Sequence, residues 1–253
     1  MTFKENSYLA SMKTPGKISQ LIKAYNAGEV FTFSDLKLKP EEYTAGIKAL
    51  SRMVKDGMIS RAGTGKYYKP NRSPFGDLKP AEDELLRTYL FRDGKRIAYV
   101  TGLSLYNRLG LTTQVPRTIQ VASRDKRIIT KIGSLKVKAV KSYVDVTDDN
   151  YRILGLLDAI KDFKDIPDRN TENGLLRLKQ LLSELSTKDL RELVKASLSY
   201  PPRARALAGA LLDAIGVNNT LTNSLAQSLN PLSAFNFALS KNVLPTADKW
   251  RVN

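Results

Sequence analysis

Neither histidine nor cysteine occurs among the 253 residues, so the commonest general base, the thiol nucleophile and the usual zinc ligands are all missing. Disulfides are excluded too, and the lack of cysteine fits a reducing compartment. Gly63-Thr64-Gly65-Lys66 has the glycines and lysine of a phosphate-binding loop, but that loop needs four residues between its glycines and a Ser or Thr after the lysine. Here one residue separates the glycines and Tyr67 follows, so a hairpin turn accounts for them. Gly133-Ser134 would suit the pair that precedes two metal-binding aspartates in nucleotidyltransferases. Leu135, Lys136, Val137 and Lys138 follow instead, and lysines in place of carboxylates repel a metal. Glu82-Asp83-Glu84 and Asp145, Asp148 and Asp149 are the remaining metal candidates. Their places at or near predicted helix starts equally suit the partial positive charge found there. No catalytic residue, metal or cofactor is expected.

The chemistry that remains is cationic. Lys and Arg number 41 against 25 Asp and Glu, a net charge of +16, and the isoelectric point is near 9.9. This balance favours polyanionic partners, nucleic acid before an anionic membrane surface. The excess is spread along the chain: 13 basic against 7 acidic residues over 1–77, 14 against 8 over 78–150, and 14 against 10 over 151–253. A neutral domain with a basic tail is thereby excluded.

Residues 40–56 (PEEYTAGIKALSRMVKD) begin with proline and two glutamates and stop before Gly57, which predicts a helix. Tyr43, Ile47, Leu50 and Val54 fall on one stripe and are expected in the core. Thr44, Lys48, Arg52 and Lys55, beside the small Ala45 and Ala49, are expected on an open basic face. Residues 58–63 and 66–70, joined by Gly63-Thr64-Gly65, predict a two-stranded hairpin that carries Arg61, Lys66 and Lys69. On duplex DNA such a helix reads base edges with its N-terminal half, here Thr44, Ala45 and Lys48, and meets phosphates with Ser51, Arg52 and Lys55. Arg61, Lys66 and Tyr67 of the hairpin would then grip the flanking backbone or minor groove. A second basic stretch holds Arg117, Arg124, Lys126, Arg127, Lys131, Lys136, Lys138 and Lys141 against one acid, Asp125. It reads either as a solvated sheet face or as a second phosphate-contacting surface.

These residues need a scaffold. Residues 14–27 place Ile18, Leu21, Ile22 and Tyr25 at helical spacing between Pro15 and Gly28, as helix entry and exit prefer. An extended piece from Glu29 to Thr32 and a brief helix over Asp35 to Lys37, capped by Ser34, come next. Helix, short helix, basic helix and basic hairpin predict a winged helix-turn-helix domain over 1–77. Beyond the connector NRSPFGDLKP, helices are expected at 81–92 and 102–109, and strands at 97–100, 118–123, 127–132 and 135–140. In the last of these, Leu135, Val137 and Ala139 alternate with Lys136 and Lys138. Residues 78–150 are thus expected to be mixed α/β with an antiparallel sheet. Residues 151–253 are expected to be mainly helical, with helices at 151–163, 172–185, 187–199 and 202–215, and the two parts together make a C-terminal domain over 78–253. The class is α+β. The N-terminus lacks a long apolar run, and no stretch reaches the ~18 to 20 apolar residues of a membrane span. A soluble cytoplasmic protein with no membrane partner is expected.

The segments ALSRMVKDGMISRAGTGKYYKP, YVTGLSLYNRLGLTTQVPRTIQVAS and YPPRARALAGALL, in this order, resemble the AbiEi family of antitoxins of type IV (abortive infection) toxin–antitoxin systems. The resemblance covers about residues 30–215, and its most specific part is the Gly-Leu-Thr-Thr-Gln-Val-Pro run at 110–116. It implies an N-terminal winged helix that binds inverted repeats in double-stranded promoter DNA and represses transcription of its own operon. It also implies a C-terminal antitoxin domain that opposes a separately encoded nucleotidyltransferase toxin, without requiring a stable complex. The long 217–253 extension and the dense lysines of the sheet depart from the family. Two alternatives stand beside this reading. One is a winged-helix regulator whose C-terminal domain senses a ligand and has no toxin partner; the other is a metal-dependent nuclease using Asp145, Asp148 and Asp149.

Overall fold

The computed structural model describes residues 13–74, 76–132, 135–239 and 243–253, the side chain of Glu82 excepted. Gly133-Ser134 lies outside the described residues. The chain is mixed α/β, of the α+β class, and divides into two compact units. These are Met1–Thr88 with Ile132–Ser134, and Tyr89–Lys131 with Leu135–Asn253.

In the first unit, α1 (Thr14–Lys23) carries Pro15 in its first turn, where a missing amide costs no helical bond. β1 (Val30–Thr32) follows. A single 3-10 turn, Ser34–Leu36, stands where the sequence predicts a short helix, and Ser34 does not cap it. The Asp35 carboxylate ties this corner instead, accepting from the Thr32 amide at 2.7 Å and the Thr32 hydroxyl at 2.8 Å. A second 3-10 turn, Pro40–Glu42, runs into α2 (Tyr43–Lys55). At the far end of α2, Gly57 at φ 67° donates its amide to the Val54 carbonyl at 3.2 Å, and Met58 donates to that of Met53 at 2.9 Å. This paired cap satisfies carbonyls that the helix leaves open, and its left-handed residue suits glycine.

β2 (Ser60–Gly63) and β3 (Lys66–Tyr68) form a hairpin turning at Thr64-Gly65, with β3 between β1 and β2 and antiparallel to both. Ile18 and Ile22 of α1, Phe31, Leu36, Leu38, Ile59, and Ala49, Leu50 and Met53 of α2 make one apolar cluster. The connector is not bare: β4 (Asn71–Ser73) and β5 (Gly76–Leu78) pair within it, ahead of α3 (Glu82–Leu90).

The second unit opens with a small hairpin of β6 (Phe91–Arg92) and β7 (Lys95–Arg96), whose first strand replaces the last two residues of the helix predicted over 81–92. Its turn, Asp93-Gly94, has positive φ at both residues (49° and 75°), as a tight hairpin requires. β8 (Ala98–Thr101), α4 (Leu103–Arg108), β9 (Thr118–Ser123), β10 (Thr130–Ile132, its last residue grouped with the first unit) and β11 (Leu135–Lys141) follow. The sheet order is β10-β11-β9-β8. β8 and β9 are antiparallel, but β9 and β11 run parallel, so the sheet is mixed rather than antiparallel. Alternation of apolar and polar residues is the same for either direction, which is why the strand pattern does not reveal it.

Five helices complete the unit: α5 (Tyr151–Lys161), α6 (Thr171–Ser183), α7 (Thr187–Ser197), α8 (Pro202–Ala214) and α9 (Asn219–Gln227). Asn170, Ser186 and Asn218 cap α6, α7 and α9 by accepting from the amides of Asn173, Asp189 and Thr220. α8 is buried continuously from Ala206 to Leu212 and packs against α5, α6, α7 and α9. Its small residues allow that many neighbours. The Trp250 ring fills the space over Gly209, and its indole N–H donates to Asp213 at 2.8 Å.

Candidate nucleic-acid interface

The geometry of α2 starts from Gly46. A Cβ there would stand 2.7 Å from Leu38 Cδ1 and 3.2 Å from the Phe33 ring, so glycine lets the helix backbone approach these side chains closely. Gly46, Ala49, Leu50 and Met53 therefore form the buried stripe. This corrects the predicted one: Tyr43 is 46% exposed and Ile47 56% exposed, Val54 is half-buried, and Ala49 is buried rather than beside the basic face. Leu50 is buried as expected, but Gly46 and Ala49 share the inward side with it and Met53, while Tyr43 and Ile47 turn out.

The outward face carries Thr44, Ile47, Lys48, Ser51, Arg52 and Lys55, all exposed, with Ala45 half-buried at its edge. These positions recur at three- and four-residue intervals, one side of a helix. From Tyr43 to Lys55 there are three cations and no acid. The entrance to this face is fixed by Glu42, which accepts from the Lys39 amide at 2.8 Å and from the Lys17 ammonium at 3.0 Å. Those two contacts hold its carboxyl below the usual range.

On the hairpin, Arg61 is exposed and its guanidinium lies 6.0 Å from the centre of the Tyr67 ring. Tyr67 in turn stacks on Phe31 with centroids 6.0 Å apart and packs against the apolar cluster, so only part of its ring is open to a partner. Lys66 donates to the Thr88 hydroxyl at 2.8 Å, a bond that positions the ammonium without neutralising it. Lys69 donates to the Tyr25 carbonyl at 3.2 Å and is tied to the chain beyond α1.

The second basic stretch separates into two groups. Lys136 and Lys138 are exposed along β11 opposite Thr118 and Gln120 of β9, while Val137 and Ile119 fill the other side. Arg124, Lys126, Arg127 and Lys141 instead line a cleft of about 290 Å³ at the C-terminal ends of β9 and β11, with Ser123, Asp125, Ala139 and Val140. Arg117 and Lys131 are exposed. Asp125 is held by Arg92 at 2.7 Å and Asp145 by Arg124 at 3.6 Å.

The carboxylates do not assemble. Asp148 pairs with Arg96 at 2.9 Å, Glu84 lies 3.8 Å from Arg87, and Asp149 is exposed. Among the described residues no group of three or more acidic side chains is placed to hold a metal ion. The most perturbed titratable groups stand in the core of the second unit, where the sequence gives no warning of them. Asp158 accepts from the Thr101 hydroxyl at 2.7 Å and the Tyr99 phenol at 2.9 Å, with the Tyr200 phenol at 3.1 Å. Burial pushes its carboxyl up, against the pull of Lys161 and of the Thr101 and Tyr99 hydroxyls. Burial and the neighbouring carboxylate also push the Tyr99 and Tyr200 phenols up.

Among solved structures, the chain is similar to the crystal structure of RV2827C protein from Mycobacterium tuberculosis. The TM-score is 0.55 at 16% identity, over 93% of this chain and 88% of that one, and at this identity the likeness is one of fold. No curated protein matches. Residues 17–191 match the model of DUF6088, described as a family of unknown function; the chain belongs to that family.

Proposed function

We propose that the first unit is a winged helix that binds double-stranded promoter DNA, with α2 in the major groove and the β2–β3 hairpin as the wing. The observation that carries this reading is the acid-free cationic face of α2. It is solvent-exposed, fixed at its entrance by Glu42, and followed at once by a hairpin bearing Arg61 and Lys66. The element order supports it: helix, strand, short turn, helix and hairpin, with β3 between β1 and β2. Lys48 and Thr44 read base edges, and Ser51, Arg52, Lys55, Arg61 and Lys66 meet phosphates.

The sequence resemblance extends this to an antitoxin of a type IV system. In that role the protein binds inverted repeats and represses its own operon, while the second unit antagonises a nucleotidyltransferase toxin in the cytoplasm. It has no catalytic activity of its own. The cleft lined by Arg124, Lys126, Arg127 and Lys141 favours one other reading, a regulator whose second unit senses a small anion.

Titration of a labelled promoter duplex with wild-type protein and a combined Lys48→Ala, Arg52→Ala, Lys66→Ala variant tests the DNA contact. Each lost base-reading contact is expected to weaken binding by ~1 to 3 kcal/mol, and each lost phosphate contact to lower the log–log salt slope by ~0.9. Unchanged affinity refutes the assignment. Co-expression with the product of the adjacent reading frame separates the antitoxin from the ligand-sensing regulator: relief of that product's toxicity is expected, and no relief favours the regulator.

A further inference from the structure

Of the two large apolar residues exposed on α2, Tyr43 packs edge-on against Phe33 with ring centroids 5.4 Å apart, whereas Ile47 has no aromatic or apolar cluster beside it. Ile47 is 56% exposed at the middle of the outward face, with Thr44 and Ser51 one turn away on either side and Lys48 beside it. A β-branched residue is a poorer helix former than lysine, arginine or alanine, and Ile47 takes no part in the apolar cluster of this unit. On a solvated face lysine, arginine or alanine would favour the helix more than Ile47 does.

In the major groove it has a counterpart. Thymine alone among the four bases presents an apolar group there, its C5 methyl, beside the O4 acceptor. A helix face that sets an aliphatic side chain between hydroxyls and a lysine, with no acid from Tyr43 to Lys55, complements a thymine next to hydrogen-bonding base edges and between phosphates. We infer that Ile47 is a specificity-determining residue that packs on the C5 methyl of a thymine in the bound duplex. The inference rests on the DNA-binding reading above and adds a base to it.

The test begins with selection of bound duplexes from a random pool by the full-length protein, followed by replacement of each thymine in the selected duplex by uracil. The replacement removes the methyl group alone. For the wild type, one thymine per half-site is expected to show about a fourfold loss, the ~0.8 kcal/mol of one buried methyl-sized group. Ile47→Ala is expected to bind the thymine and uracil duplexes equally, with the wild-type salt slope and a thermal midpoint no lower than the wild type's, and Ile47→Val to recover part of the discrimination. Wild-type binding that ignores uracil at every position overturns the inference, as does an Ile47→Ala protein that still discriminates. Both results leave DNA binding itself standing. Failure to retain any duplex removes the underlying reading, and this inference with it.

Discussion

Asp158 shows what a single buried charge does here. Its carboxyl is pushed up by burial while three hydroxyls converge on it. A carboxyl raised in the fold binds its proton more tightly there than in the unfolded chain. The stability that this group contributes is therefore greatest at acid pH and falls as pH rises from the ordinary carboxylate range through the raised value, opposite in sign to the contributions of Glu42 and Asp213, whose carboxyls are held low. Asp158→Asn removes that dependence and keeps acceptors for Tyr99 and Thr101. The Tyr200 phenol can then turn its proton to the Leu154 carbonyl, which lies 3.3 Å away. Thermal melts across pH 4 to 8 are expected to show the Asn variant gaining on the wild type as pH rises. Asp158→Ala, which orphans the hydroxyls, is expected to lose about 3 kcal/mol or more at every pH. None of this is legible in the sequence, because Tyr99, Thr101, Asp158 and Tyr200 are brought together only by folding. Lys48 and Arg52, by contrast, are legible as exposed cations. Tyr43 and Ile47 mislead, since side-chain size points them inward while Gly46 and Ala49 permit the closer packing.

At the scale of elements, α8 tests how closely helices approach when small residues line them. A Cβ on Gly209 would fall 2.2 Å from the Trp250 ring, and the indole has its N–H fixed on Asp213. Burial alone would raise the Asp213 carboxyl, but Lys249, Trp250 and Thr222 hold it below the usual range. The ring therefore cannot slide away without leaving a charged group short of donors. Gly209→Ala is expected to cost ~1 to 3 kcal/mol, the usual range for overpacking, read as a lowered unfolding midpoint. The helices themselves are legible from spacing: predicted 151–163 and 202–215 correspond to Tyr151–Lys161 and Pro202–Ala214. The β6–β7 hairpin had its Asp-Gly signal in plain view, but the helical spacing ahead of it overrides the signal on a simple reading. The parallel pairing of β9 with β11 leaves no local trace, being a property of the connection rather than of the strands.

For the whole molecule, each unit has its own apolar cluster, one around Phe31 and Leu50, the other around Leu157, Leu207 and Trp250. Calorimetry is expected to resolve two transitions, and Trp250→Ala to lower one by the ~3 to 5 kcal/mol of an emptied aromatic site while the other keeps its midpoint. A single transition displaced as a whole would show that the clusters melt together. The sequence puts a division at the connector NRSPFGDLKP, whereas the change of unit falls later, within α3. The position of Trp250 also sets an order in time. Every described residue of the first unit has been translated once Ile132 has been added, whereas the second cannot close over Gly209 until the ribosome reaches residue 250. At ~5 to 20 residues per second the interval lasts several seconds to a few tens of seconds. During it every residue of the cationic face is already part of the nascent chain, while the second unit still lacks the indole that covers Gly209.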